Sequence, residues 1–263
     1  MKLKYIVILF FLNSSLLISK PVNTTDKSLT ILYFCNLNGR IDFDEDGRKG
    51  LSTIAEIKRK ELEKIYSEKG KVLLLTQGVF FSNPEQYSSF KLLKTSLFDT
   101  VLLSEDELKY LEKNPNLLKL ELPVIANREN TLDLETEKFF DMEGIKVNIS
   151  NFLIKKIPHN SSDVPQLHLV FPENNLETEI ENVPQKIPVI YFLPKEKTHS
   201  LSYVKNVYTA ECPESLDKIG KIKLTYRNGE LIRQYQEFIS LNTKKSSGAW
   251  IKPYKPTLDE IQK

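Results

Sequence analysis

Residues Leu29–Ile41 read LTILYFCNLNGRI, a run of strand-forming apolar residues that breaks off in asparagine, glycine and arginine. Such a run has no polar face to give to water, so it must be covered on both sides, as in the sheets of α/β proteins. Its polar end then lies where those sheets gather ligand-binding groups, at the carboxyl end of the strand. The next stretch agrees with this. Leu51, Ile54, Ile57, Leu62 and Ile65 recur at near-helical spacing with Lys and Glu between them, and Val72–Leu75 is again wholly apolar. A strand, a crossover helix and a second strand make one βαβ unit. Ser52 or Thr53 is the expected cap of that helix and Gly70 its expected exit.

Charge excludes one class of partner. The 37 Lys and Arg nearly cancel the 35 Asp and Glu, so no strong field points to nucleic acid. The amino end is more specific. Lys2 and Lys4 precede the apolar run Tyr5–Leu12, and a second run, Leu16–Ile18, ends at the small residue Ser19. This is the pattern of a secretory signal peptide over 1–19, with a core too short and interrupted for a membrane span. A retained anchor is the alternative. No cysteine lies near the cleavage point, against a lipid-anchored lipoprotein. The expected location is therefore periplasmic, cell-envelope or extracellular, with 20–28 as a polar leader.

Other features carry two readings each. Asp42, Asp44, Asp46 and Gly47 begin like a calcium loop of the EF-hand type, but the twelfth position is Thr53, which cannot supply the bidentate carboxylate; a solvated acidic loop is the alternative. His168 alternates with apolar neighbours and reads as a strand-face histidine. Cys35 and Cys212 are the only cysteines. Two buried free thiols are the default, and a bridge at the site-facing strand ends is the other reading. Asn23, Asn148 and Asn160 each begin an Asn-x-Ser/Thr triplet, a glycan acceptor only in a eukaryotic secretory pathway. Alternation through Ile219–Tyr226 and Leu231–Phe238 predicts a hairpin.

In order along the chain, several segments resemble the 5′-nucleotidase branch of the calcineurin-like metallophosphoesterases. Leu29–Ile41 resembles I-L-H-T-N-D-L-H-G-R, and Leu73–Pro84 resembles L-L-L-D-A-G-D-x-x-x-G-S-P. Phe98–Leu108 resembles Y-D-A-V-T-x-G-N-H-E-F, and Pro123–Asn127 resembles P-V-L-x-A-N. Gly144–Ile157 looks like the strand that opens the family's second sheet. Gln166–Asn175 and Pro188–Leu193 take the places of V-V-L-S-H-L-G and D-V-I-x-G-G, and Val207–Glu230 resembles the closing I-V-Q-A-G…Y-L-G-R-L-D-L-T-Y-D-x-G. The packing residues match and the chemical ones do not. The family's metal-binding Asp and His fall on Asn36 and Asn38, and its two Asp of the second motif fall on Thr76 and Val79. Its Asn-His pair falls on Glu105 and Asp106, and a later His on Pro172. The closing H-x-H leaves at most His199.

The resemblance implies an α/β fold, a four-layer α-β-β-α sandwich of two mixed sheets, in one domain over 29–240 with a tail at 241–263. It also implies a site without its donors. Val79 in place of a bridging carboxylate removes the charge that holds two dications together. The expected function is an exported, catalytically inactive metallophosphoesterase-like protein with a binding or structural role, no cofactor, and an unspecified protein or small-molecule ligand. Asn36, Asn38, Thr76, Val79, Glu105, Asp106 and His199 are the candidate pocket residues. The alternative is a divergent phosphoesterase with one divalent metal ion held by some of Asn36, Asn38, Glu105, Asp106 and His199. For the carboxylates and amides, the plain reading is that they end strands.

Overall fold

The computed structural model describes residues 26–35, 50–66, 70–78, 93, 95–151, 166–172, 187–195, 206–213, 218–241 and 254–256. Strand β1 (Lys27–Cys35) is the middle of a six-stranded sheet. It runs parallel to β2 (Gly70–Gln77), followed by β3 (Thr100–Leu102) and β4 (Val124–Ile125), also parallel. On its other side the hairpin β10 (Lys218–Arg227) and β11 (Glu230–Ser240) is antiparallel. The second sheet holds β5 (Glu137–Asp141), β6 (Lys146–Ser150), β7 (Gln166–Val170), β8 (Val189–Leu193) and β9 (Val207–Glu211). All but β5 run parallel there. Both sheets are therefore mixed.

The apolar run of β1 is covered on both faces, and its alternation explains how. Leu29, Ile31 and Tyr33 point into the layer between the sheets, with Val147, Ile149, Leu167, Leu169 and Ile190 opposite. Leu32 and Phe34 point to the other side, under Leu51, Ile54 and Ile57 of helix α1 (Leu51–Tyr66) and Leu108 and Leu111 of helix α2 (Glu105–Lys113). Both described helices pack on the first sheet; the helical layer expected over the second lies outside the described residues. None of the described helices is long and apolar enough to cross a membrane.

Several local expectations are corrected. The first helical bond runs from Ile54 N to the carbonyl of Gly50 at 3.2 Å, so Gly50 is the cap and Ser52 and Thr53 are buried in the first turn. Gly50 has φ 75°, a conformation that glycine adopts without a Cβ clash. Gly70 opens β2 rather than closing α1. The second sheet begins earlier than Gly144. Edge strand β5 precedes it, and Phe139 there is 58% exposed, so its segment has no buried-strand signature. A tight turn at Glu143 (φ 58°) and Gly144 (φ 82°) joins β5 to β6, and Asn228-Gly229 makes the same turn between β10 and β11. The predicted β10–β11 hairpin is present, in the first sheet. Of the expected tail, Tyr254 N donates to the Ser52 carbonyl at 2.9 Å.

Candidate functional site

The parallel strands of both sheets deliver their carboxyl ends to one edge of the sandwich, the place where α/β sheets bind ligands. Asn36, Asn38, Val79, His199 and the Asp42–Asp46 loop lie outside the described residues. The remaining candidates can be placed.

Thr76 is fully buried in β2, with the alternation of Val72 and Leu74, so it belongs to the helix-facing side. Among the described residues its hydroxyl has no hydrogen-bond partner. The next residue, Gln77, belongs to the crevice side. Its Nε2 donates to the carbonyl of Phe171, at the end of β7, at 3.3 Å. Sequence matching missed Gln77 because the family pattern draws attention to the residue before it.

Glu105 and Asp106 follow β3 as the first turn of α2. Ser104 caps this helix. Its Oγ accepts from Glu107 N at 3.3 Å, while the Glu107 carboxylate accepts from Ser104 N at 2.8 Å. This reciprocal box was legible as S-x-x-E. Glu105 turns to Arg128, whose Nε donates to Oε2 at 3.0 Å, with Lys109 3.4 Å away. The guanidinium bonds hold the Glu105 carboxyl below its ordinary range. Asp106 is exposed. In Ser104→Ala, α2 loses one satisfied amide, and a stability loss of about 1 kcal/mol is expected in urea denaturation.

Pro172 follows Phe171 and offers no donor to a metal. Cys35, at the end of β1, is bonded to Cys212, just past β9, with Cα atoms 5.5 Å apart. The free-thiol default is thus corrected. Proximity at two strand ends decided it, and spacing in sequence could not show that. Asn148 is also settled: it is 2% exposed within β6 and donates to Glu137 Oε2 at 3.0 Å, so in the folded chain it is not a glycan acceptor. The other two triplets lie outside the described residues.

His168 is a strand-face histidine as expected, 3% exposed on the side of β7 away from the first sheet, with Nδ1 unpartnered among the described residues. Burial lowers its pKa from 6.5 to about 4. Between those values the unfolded chain binds the extra proton, so the contribution to stability is full above pH 6.5 and is lost as pH falls toward 4. The shift corresponds to about 3 kcal/mol. A His168→Gln variant is expected to flatten the stability slope across that window; a slope unchanged from the native protein would clear His168 of the effect.

The resemblance implies divalent metal at this edge, and the residues at its positions do not fit a dinuclear centre. Among the described residues no group of three or more His, Cys, Asp or Glu is placed to hold a metal ion. More tellingly, the Glu105 carboxylate is already engaged, Thr76 belongs to the wrong face, and Pro172 and Val79 have no side-chain donor at all.

No protein-family model matches the chain, and no curated protein does. Solved structures do match. A calcineurin-like phosphoesterase, YfkN from Bacillus subtilis, aligns at 13% identity and TM-score 0.61, over 90% of this chain and 96% of that one. The sulfate thiohydrolase SoxB of Thermus thermophilus aligns at 10% identity and TM-score 0.60, over 89% of this chain and 59% of that one. A 5′-nucleotidase from Candida albicans aligns at 12% identity and TM-score 0.58, over 89% and 57%. The chain has the α/β fold of these calcineurin-like phosphoesterase and 5′-nucleotidase structures.

Proposed function

We propose that this is an exported, catalytically inactive metallophosphoesterase-like protein that serves in the cell envelope by binding or by structure. One observation carries the reading. At the carboxyl ends of the strands three of the described side chains already have partners: Gln77 the Phe171 carbonyl, Cys35 the Cys212 sulfur and Glu105 the Arg128 guanidinium. Two adjacent dications need several anionic oxygens around them to offset their mutual repulsion. Asn36 and Asn38 supply only neutral carbonyls, and Val79 supplies nothing.

Export is supported by the basic-then-apolar amino end and by the disulfide, since disulfides persist in oxidising compartments and are rare in the reducing cytosol. A ligand or partner would be met at the carboxyl-end crevice, by the polar residues that close the strands.

The test is metal content of the purified mature protein after dialysis with manganese and zinc, together with hydrolysis of bis(p-nitrophenyl) phosphate and of AMP. A folded protein without stoichiometric metal and without turnover is expected. Stoichiometric metal with turnover abolished by Asn36→Ala or Asp106→Ala would replace this reading with a single-metal phosphoesterase.

A further inference from the structure

Among the described residues, the disulfide and several hydrogen bonds between the two sheets gather at the same edge. The Cys35–Cys212 bond links the end of β1 to the end of β9. Two residues back along β1, the Tyr33 hydroxyl donates to the Glu211 carbonyl at 2.6 Å and accepts from Gln236 Nε2 at 2.6 Å. Gln77 reaches Phe171 from β2, and the Phe171 ring stacks on Phe192 at 4.1 Å, which meets Tyr33 at 4.7 Å. At the opposite edge the cross-sheet contacts are lysine to carbonyl: Lys138 to Asp99 and Lys27 to Glu143. The covalent bond thus starts one residue before Asn36, a position at which the resemblance implies a metal ligand.

We propose that the Cys35–Cys212 disulfide takes over from a metal centre as the tie between the carboxyl ends of the sheets, and that a dithiol reductant can release it without unfolding the domain. Cys35 is half-buried, whereas Cys212 is 8% exposed. A thiolate of the reductant therefore attacks the Cys35 sulfur. The S–S bond breaks, Cys212 leaves as a thiolate and takes up a proton, and a mixed disulfide forms on Cys35. The second thiol of the reductant displaces Cys35, which is protonated in turn. Two electrons have passed from the dithiol, now itself a disulfide, to the cysteine pair. The apolar layer between the sheets and the Tyr33 and Gln77 bonds remain. What opens is the crevice edge. The proposal leans on the reading above only for the oxidising compartment, and it is tested on purified protein, so its failure would leave the question of catalysis where it was.

The experiment is amide hydrogen exchange on the intact chain in three states: oxidised, reduced with dithiothreitol and alkylated, and oxidised in excess EDTA. Reduction is expected to raise exchange at 32–35, 75–77, 169–171 and 209–212 about tenfold more than at 27–29 and 71–73, whose rise follows only the lower global stability. EDTA is expected to change nothing. The Cys35→Ser, Cys212→Ser double variant, free of the alkyl groups, is expected to repeat the reduced pattern. Unchanged exchange on reduction would overturn the proposal, as would a rise of equal size at 27–29 and 71–73 or a crevice-edge rise produced by EDTA.

Discussion

Replacing Cys35 and Cys212 together with alanine is expected to lower the free energy of unfolding by about 4 kcal/mol. The cysteines are 177 residues apart, so the bond removes from the unfolded chain the freedom of a loop that spans most of the domain. A closed loop of about 100 residues corresponds to about 4.7 kcal/mol in the chain-entropy account, and residual structure in the unfolded state reduces that. Typical domains have about 5–15 kcal/mol in all. The double variant should therefore fold but sit close to its threshold, with a urea midpoint well below that of the native protein. A loss below about 1 kcal/mol would mean that the unfolded chain keeps these strand ends close without the bond, or that the bond strains the native state.

How much of this was legible in the sequence depends on how far each feature reaches along the chain. β1, α1 and β2 are read directly, because a doubly covered strand and an amphipathic helix imprint their burial on consecutive residues. Asn228-Gly229 announces its turn in the same local way. Ser104-x-x-Glu107 was equally local, but the family pattern laid over it made Glu105 and Asp106 look like replaced ligands when they also fill a helix's first turn. The acidic first turn is itself favourable at a helix amino end. The cross-sheet ties had no local signal. Tyr33 meets Glu211 and Gln236 across separations of 178 and 203 residues, and each of these residues alone is an ordinary strand residue. β5 was hidden for the opposite reason: as an exposed edge it buries too little to leave a pattern.

The same edge gives the second large effect, at a position that looks improvable. Gly220 lies in β10 directly opposite Tyr33 of β1. Valine is a better strand former than glycine, so Gly220→Val would stabilise an ordinary strand. Here the glycine makes room. A Cβ at 220 would come within 2.2 Å of the Tyr33 ring. That ring cannot swing aside, since it is fully buried, packs on Phe192 and is held at its hydroxyl by Glu211 and Gln236. Relief of the clash would pull the buried hydroxyl off two half-buried partners. Overpacking and the stranded polar groups together are expected to destabilise Gly220→Val by about 4 kcal/mol. The cause is checked by a double-mutant cycle in urea denaturation. In a Tyr33→Ala background the ring is gone, and Gly220→Val should cost about 2 kcal/mol less than in the native protein. If the two losses simply add, Tyr33 is not what forbids a side chain at 220, and the glycine must be explained by the backbone of β10 instead.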